Sequence, residues 1–523
     1  MNMNLEWHIL FLLIHGILCE EQTEFYSSTD SMTELIVMEK ELMETLGAYI
    51  AAEETRLENL KRMLSCPVET LVSEDSIEEL ERHISNPFKA YKLVRGLRKK
   101  WKLVEEITTN SSSQDFLGVL KQKSQGLPSD GDVDGVALGL VRLQETYHLH
   151  PESVMKGGVP GLVGTGALDP DEMFHIATVA HQNWKYQYAF LWMQETLRQL
   201  DEGVESEVSK MEVLRILAPL SFQMGVLPVA LNLTQQILEQ DSSDLLTLAQ
   251  FAHYKSLKES VLTPNGYKNP FDLSIMHNMS YEALCRGEGS KMTDKRRRRL
   301  FCRYSSGGGN ARLIYAPVKE EDEWDHPRII RYHELMSDKE IEIIKTLARP
   351  KLARAKVVDH STGNKYSTEF RVSKSAWLAE DEDPVVVHVT QRVADVTGLD
   401  MASAEILQVA NYGIGGQYEP HFDSKLTGDT EFELKGGRIA TVLIYMSDVE
   451  IGGATVFPAI GAALKPQKGS AVVWFNLLQN GEEDANTLHA ACPVFVGNKW
   501  VANKWIRAHG QEFRRRCSLS HTE

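Results

Sequence analysis

The chain has 523 residues, enough for three or four domains of ordinary size. Apolar residues make up 42% and charged residues 25%, which excludes a fibrous or a disordered chain. Acidic residues outnumber basic ones 73 to 56, a net charge of −17. That argues against a general nucleic-acid binder, which needs an excess of cations to displace phosphate counterions.

Residues 1–19 open with the apolar run Ile9-Leu10-Phe11-Leu12-Leu13-Ile14, and Glu20 and Glu21 follow. The run is too short to cross a ~30 Å hydrocarbon core. It fits a cleaved secretory signal peptide, although it carries Glu6 and no Lys or Arg. An amphipathic N-terminal helix is the alternative. No later stretch is long enough to span a membrane. Residues 20–135 read as a helical, coiled-coil-like dimerisation domain. Within 31–65, Leu35, Met38, Leu42, Leu46, Tyr49, Leu57, Leu60 and Leu64 recur at helical steps, interrupted by Glu53. This stripe serves either as a dimer seam or as a face packed on its own domain. Residues 66–120 look helical again, with Leu93, Leu97, Trp101 and Val104 at helical spacing. A Gly/Asp/Ser-rich linker is expected at 121–135.

Residues 136–257 read as helical pairs, at 137–146, 170–183, 188–200, 207–224 and 228–239. Helices of this length joined by short turns are similar to a tetratricopeptide-type repeat. Residues 258–325 read as an irregular linker holding Cys285, Cys302 and a basic run at 295–299, taken as a solvated loop. From 326 to 523 the character changes. Short β-rich runs at 329–332, 355–358, 403–412, 439–445, 461–465, 471–474 and 499–506 accompany helices at 338–348 and 384–397. Many short strands with Gly- and Pro-rich turns predict a β-sandwich or jelly roll, making the chain an α+β multidomain protein.

Cys19 sits at the edge of the signal, leaving Cys66, Cys285, Cys302, Cys492 and Cys517. The pairs 285/302 and 492/517 are local in sequence and read as small staples in an oxidising compartment; reduced core cysteines are the alternative, and Cys66 is odd. Sequons at Asn110, Asn232 and Asn278 support the secretory pathway together with the signal.

The chemistry concentrates in Gln417-Tyr-Glu-Pro-His421-Phe-Asp423. Histidine and aspartate two apart on a strand point to one side. His489, 66 positions after Asp423, supplies a second imidazole. Two histidines and one carboxylate make the facial triad of non-haem Fe(II) oxygenases. Three protein ligands leave three metal positions, enough for a bidentate 2-oxo acid and dioxygen. Lys499, ten positions after His489, could anchor the far carboxylate of 2-oxoglutarate by a charge-assisted hydrogen bond. Lys504 is its rival.

These residues stand in longer blocks: Gln408-Val-Ala-Asn-Tyr-Gly-Ile-Gly-Gly-Gln-Tyr-Glu-Pro-His421, Arg371-Val-Ser-Lys-Ser-Ala-Trp377, Tyr445-Met-Ser-Asp448 and Gly452-Gly-Ala-Thr-Val-Phe-Pro458. Together they strongly resemble the α subunit of collagen prolyl 4-hydroxylase, over nearly the whole chain. The resemblance implies a double-stranded β-helix catalytic domain using Fe(II), 2-oxoglutarate, O2 and L-ascorbate to 4-hydroxylate proline in X-Pro-Gly repeats of procollagen. It implies work in the endoplasmic reticulum lumen, with protein disulfide isomerase as β subunit of an α2β2 tetramer, and no nucleic acid or membrane span. It assigns iron to His421, Asp423 and His489 and the distal carboxylate to Lys499. Tyr418 and Thr441 would help, and Trp505 would wall the pocket; Tyr418 as a strand aromatic and Trp505 as core are the bland alternatives. The family's two intrachain disulfides fall on Cys285–Cys302 and Cys492–Cys517.

The repeat region departs from the family pattern. Tyr186, Tyr188 and Trp192 remain as rings for stacking on a polyproline II peptide. The next helix, around Pro219 and Phe222, lacks the family's tyrosines, and His181 stands where an aromatic hydroxyl is expected. Pro219 is expected to kink its helix. An altered proline-rich secreted substrate is therefore the first alternative, and a non-catalytic scaffold for disulfide isomerase the second.

Overall fold

A computed structural model describes residues 24–65, 100, 101, 103, 104, 107, 118, 122, 128–149, 168–260, 281–289, 292–358, 365–366, 368–424 and 434–518. The expected signal, Cys66, the sequons at Asn110 and Asn278, and most of the second helical stretch lie outside these residues.

The first helix, α1 (Thr29–Ser65), belongs mostly to a compact unit of its own, 31–127. It buries none of its side chains. Of the stripe expected on it, Leu35, Met38, Leu42, Leu46, Tyr49 and Leu60 are half-buried and Leu57 and Leu64 exposed; Ile36, Met43 and Ile50 beside it are exposed as well.

The second unit, 1–30 with 128–523, carries the repeats and the sheets. Helix α2 (Asp130–Tyr147) starts inside the expected linker. Ser129 and Asp132 form a reciprocal capping box, so the polar residues taken for a linker are a capped first turn. Antiparallel helices follow: α3 (Pro170–Gln182), α4 (Tyr186–Asp201), α5 (Lys210–Gln223), α6 (Leu227–Gln240) and a further helix, α7 (Leu245–Ser260). Asp169 and Ser209 cap α3 and α5 in the same way, which sets their starts. Met173, Ala177, Phe190, Met193, Leu214 and Leu217 fill their common core. Helix α5 runs on through Pro219.

Helix α8 (Tyr281–Cys285) leads into the sheets. The strands are β1 (Cys302–Ser305), β2 (Val318–Asp325), β3 (Arg328–His333), β4 (Ala353–Arg354), β5 (Val357–Val358), β6 (Lys365–Tyr366), β7 (Lys374–Leu378), β8 (Leu407–Tyr412), β9 (Tyr418–His421), β10 (Arg438–Tyr445), β11 (Ile451–Gly452), β12 (Thr455–Phe457), β13 (Ala462–Leu464), β14 (Ala471–Phe475), β15 (His489–Ala491), β16 (Val494–Val496) and β17 (Lys499–Arg507). Among the described residues, nine form one antiparallel sheet in the order β1-β2-β3-β14-β10-β17-β8-β7-β4, and four form a second, β13-β12-β15-β9. Because β1 and β2 belong to the large sheet, the sheet domain begins upstream of residue 326, inside the stretch expected to be irregular.

Both faces of the middle of the large sheet are covered, and its strands β10 and β14 are almost continuously apolar. One face packs on α9 (Asp338–Ala348) and α10 (Pro384–Thr397) through Ile341, Ile344, Val389, Val393, Ile444 and Trp500. The other meets the small sheet through Tyr412, Tyr445, Trp474 and Val501 against Phe457 and Leu464. Two facing antiparallel sheets make the expected jelly roll.

The helical repeats sit directly on this domain. Arg142 of α2 donates to the Gly415 carbonyl at 2.9 Å, and the Tyr147 hydroxyl donates to the Pro493 carbonyl at 2.7 Å. An N-terminal strap lies in the same seam: Phe25, Ser27 and Ser28 are buried, and Ser28 Oγ donates to Asn411 at 2.6 Å. Gly413 makes room for it, since a Cβ there would lie 1.9 Å from the Tyr26 carbonyl oxygen.

Candidate metal centre

Strands β9 and β15 pair with His421 opposite His489. The register puts the two imidazole centroids 4.4 Å apart. Each ring is oriented from behind: His421 Nδ1–H donates to the Glu419 carbonyl at 2.7 Å, and His489 Nδ1–H to the Thr487 carbonyl at 2.9 Å. Both Nε2 lone pairs therefore face inward, a backbone partner fixing the tautomer as for metal-bound histidines. Asp423 completes the group, with Oδ1 3.7 Å from His421 Nε2 and Oδ2 3.5 Å from His489 Nε2. The three potential ligand atoms lie within 4.8 Å of one another.

Asp423 is 6% exposed, and its Oδ2 accepts two hydrogen bonds, from Thr441 Oγ1 at 2.7 Å and Trp505 Nε1 at 2.9 Å. Thr441 and Trp505 face each other across β10 and β17, so one register delivers both donors. That leaves Oδ1 as the free oxygen. Burial alone would raise the Asp423 carboxyl; the imidazoles of His489 and His421, Arg438 and the Trp505 bond outweigh it and hold it well below the usual carboxylate range. Burial, then the neighbouring His489, brings His421 down to about 3, so its ring is neutral and able to ligate.

The walls are aromatic. Tyr418 stacks on His421 with centroids 3.5 Å apart, and Trp474 meets His489 edge-on at 4.8 Å. The Arg371 guanidinium lies 4.8 Å from the Tyr418 ring centroid and donates to Gln408 at 3.0 Å. The Arg438 guanidinium lies 3.9 Å from the Trp505 ring centroid and makes a two-pronged ion pair with Glu405 at 2.6 and 2.7 Å.

Lys499 lines the same pocket, 1% exposed, with Nζ 4.9 Å from the Tyr412 ring centroid. Burial brings its amine down to about 7. Lys504, five positions on, falls on the opposite face of β17 and lies 3.4 Å from Glu380. The rivalry is settled by strand parity: Lys499 faces the pocket and Lys504 the helices.

Thus His421, Asp423, His489, Lys499, Tyr418, Thr441 and Trp505 all line one pocket. Thr441 is spent on Asp423 instead of reaching toward an oxo acid. Sequence reasoning missed Arg371, Tyr412 and Thr455, which line the pocket too. Alternation along β8 was the available signal; the pairing of Tyr412 with Lys499 comes only with the sheet register.

Other expected sites fare differently. Trp192 is 2% exposed and donates Nε1–H to Gln144 at 2.9 Å, so it is a core residue and presents no open face for stacking. Tyr186 and Tyr188 are half-buried at the edge of the repeat core. Trp184 is the exposed ring, 78% accessible and edge-on to Tyr186 at 5.9 Å, with an unusual φ of +62°. Asn232 is exposed on α6, while Thr234 of its sequon is buried. The expected pairs Cys285–Cys302 and Cys492–Cys517 are not formed. Cys285 is bonded to Cys492, and Cys302 and Cys517 are free and exposed. The reason is packing: α8 lies on the small sheet, Leu284 against Val456 and Ala490, which brings Cys285 to the end of β15. Tyr281 of the same turn donates to Gln417 at 2.7 Å, beside Tyr418.

Three family models match the chain: the prolyl 4-hydroxylase alpha-subunit N-terminal region over 28–161, the prolyl 4-hydroxylase peptide-substrate-binding domain over 170–259 and the 2OG-Fe(II) oxygenase superfamily over 407–507. Prolyl 4-hydroxylase subunit alpha-2 of Gallus gallus is 44% identical, covering 98% of each chain. Prolyl 4-hydroxylase subunit alpha-1 of Homo sapiens is 43% identical, covering 98% of this chain and 100% of that one. Among solved structures, a viral collagen prolyl hydroxylase from Paramecium Bursaria Chlorella virus-1 is 25% identical over 34% of this chain and 96% of its own, with a TM-score of 0.28. With three matched domains and end-to-end identity to curated relatives, the chain belongs to the prolyl 4-hydroxylase alpha subunit family.

Proposed function

We propose that this chain is the catalytic subunit of a prolyl 4-hydroxylase acting on X-Pro-Gly repeats of procollagen in the endoplasmic reticulum lumen. The observation that carries the reading is Asp423 with one oxygen saturated and one free, between two inward-facing imidazoles. That donor set, two neutral nitrogens and one carboxylate oxygen, fits Fe(II) and leaves open positions. His421 Nε2, His489 Nε2 and Asp423 Oδ1 would hold the iron. When bound, Fe(II) and 2-oxoglutarate supply the oxidising chemistry, and ascorbate restores iron oxidised in idle turnovers. The protein's own residues bind, orient and exclude water. The Lys499 ammonium receives the distal carboxylate of the co-substrate; its burial makes that charge-assisted bond strong. Tyr418 and Trp474 brace the two imidazoles, and Trp505 closes the side of Asp423.

The long apolar stripe of α1, no residue of which is fully buried, supports pairing of two copies of the chain. A second subunit, protein disulfide isomerase, would complete an α2β2 tetramer. The Cys285–Cys492 bond supports an oxidising compartment. The burial of Trp192 favours a second reading of the substrate: the same chemistry on a different proline-rich secreted chain, selected by Trp184 and Tyr186. The scaffold reading has no support from a site whose ligands are all in place.

The test is co-expression with protein disulfide isomerase and measurement of succinate release against a (Pro-Pro-Gly)n peptide, with His421→Ala as control. Turnover lost in the control supports the hydroxylase. Turnover on polyproline but not on (Pro-Pro-Gly)n moves the reading to another substrate. An assembled complex that binds no Fe(II) refutes the enzyme.

A further inference from the structure

We infer that Asn476 is a positioning residue that, through Thr441, fixes Asp423 as a one-oxygen ligand. The inference rests on the metal reading of the triad. Asn476 follows β14 and is 1% exposed. Its amide Nδ2 lies 3.3 Å from the Arg438 carbonyl, which can only accept, so the NH2 group must face that way. The same Nδ2 lies 2.9 Å from Thr441 Oγ1. Thr441 therefore accepts from Asn476, and its single proton is left for Asp423 Oδ2, 2.7 Å away. The Asn476 amide oxygen, 3.3 Å from the hydroxyl, is the weaker competitor for that proton.

A threonine hydroxyl by itself rotates to suit its surroundings. With Asn476 donating to it, the proton of Thr441 is turned to the nearer acceptor, Asp423 Oδ2 at 2.7 Å against 3.3 Å for the Asn476 amide oxygen. Oδ2 of Asp423 is then saturated by Thr441 and Trp505, and only Oδ1 is available. A two-oxygen carboxylate would take one of the positions that the co-substrate and dioxygen need.

The main chain of Asn476 supports a second ligand. Its carbonyl accepts from the Asp484 amide at 3.0 Å, and the Asp484 carbonyl accepts from the Thr487 amide at 2.9 Å and its hydroxyl at 2.7 Å. Thr487 in turn offers its carbonyl to His489 Nδ1. Side-chain substitutions at Asn476 leave this main-chain branch in place and so isolate the Thr441 branch.

The experiment is anaerobic Fe(II) titration of the full chain in its co-expressed complex, read by the visible charge-transfer absorption of the 2-oxoglutarate complex. Asn476→Ala should weaken iron binding about tenfold, the lower end for outer partners of metal ligands. The KM for 2-oxoglutarate at saturating iron should stay within twofold, because Lys499 is untouched. Asn476→Leu, similar in size and without a donor, should behave as alanine does and covers the case where alanine fails to fold. Asn476→Ser, which keeps a donor, should recover most of the loss. The double variant Asn476→Ala/Thr441→Val should bind no worse than Thr441→Val alone. Iron binding within twofold of wild type in both Asn476→Ala and Asn476→Leu, or additive losses in the double variant, would overturn the role of Asn476 and leave the triad standing. Failure of the wild-type complex to bind Fe(II) would overturn the triad, and this inference with it.

Discussion

Lys499 gives the sharpest test of the site because its chemistry changes within an accessible pH range. Its amine is buried in the pocket, and none of the described carboxylates pairs with it. Burial brings it down to about 7 from 10.5. The groups that face it are the Tyr412 ring, itself pushed up to about 12 by burial, and farther along the pocket Asp423 and the permanently charged Arg371. In the empty site the amine is therefore about one-tenth protonated at pH 8 and about one-hundredth at pH 9. A dicarboxylate binds the charged form, so its affinity should fall about tenfold per pH unit above 7, until the floor supplied by Arg371. Binding above pH 7 should take up close to one proton. The effect on the empty fold has the opposite sense. Between about pH 7 and 10.5 the unfolded lysine holds a proton that the folded one does not, so this group's contribution to stability rises with pH across that window. Calorimetric titration of 2-oxoglutarate into the Mn(II)-loaded complex from pH 6 to 9, in buffers of differing ionisation heat, measures affinity and proton uptake together. Lys499→Arg, charged throughout, should bind with little pH dependence. Affinity flat from pH 6 to 9 in the wild type, with no proton uptake, would refute the reasoning.

The other expectations concern the frame. Peptide mapping without reduction should recover Cys285 linked to Cys492, with Cys302 and Cys517 alkylated in the native protein; a 285–302 peptide would refute that pairing. Because the bond closes a loop of 207 residues, Cys492→Ser should cost about 3–5 kcal/mol in denaturant unfolding, provided the reduced chain keeps the same fold. Gly413→Ala should destabilise the strap seam by about 1–3 kcal/mol, since its Cβ meets backbone and not a side-chain end; an unchanged melting temperature would contradict the strap. Trp192→Phe should cost about 1 kcal/mol through the lost bond to Gln144 and leave polyproline affinity alone, whereas Tyr186→Ala should weaken peptide binding; the reverse pattern by titration would restore Trp192 to the groove.

Much of this was legible in the chain, and the failures have physical causes. The spacing of His421 and Asp423 carried the metal reading, although the strand expected to hold both, β9, ends at His421 and Asp423 lies just beyond it. Parity separates Lys499 from Lys504, but only a known sheet says which side is the pocket. The linker expected at 121–135 failed because composition was weighed above the capping signal of Ser129 and Asp132. Strand β1 was missed because it is a short edge strand of alternating exposure in a stretch rich in Gly and Arg. Cysteine pairing failed for a different reason. Nearness in sequence says nothing once α8 is carried onto the small sheet, where Cys492 waits 207 positions away.

The three ligands of the centre can be picked out of the sequence, and the number of oxygens that Asp423 can offer cannot. It depends on Thr441, 18 positions away, and Trp505, 82 positions away, both delivered by the pairing of β10 with β17. Substituting either donor would leave the His-x-Asp and distant His pattern intact on paper while freeing the second oxygen. A chain could thus keep all three ligands and lose the open positions that the chemistry needs. The same holds one step further out: Asn476 touches no ligand, yet it decides where the only proton of Thr441 points. The register of the large sheet is therefore part of the metal centre, and a substitution that slips it should be felt at Asp423 before it is felt as unfolding.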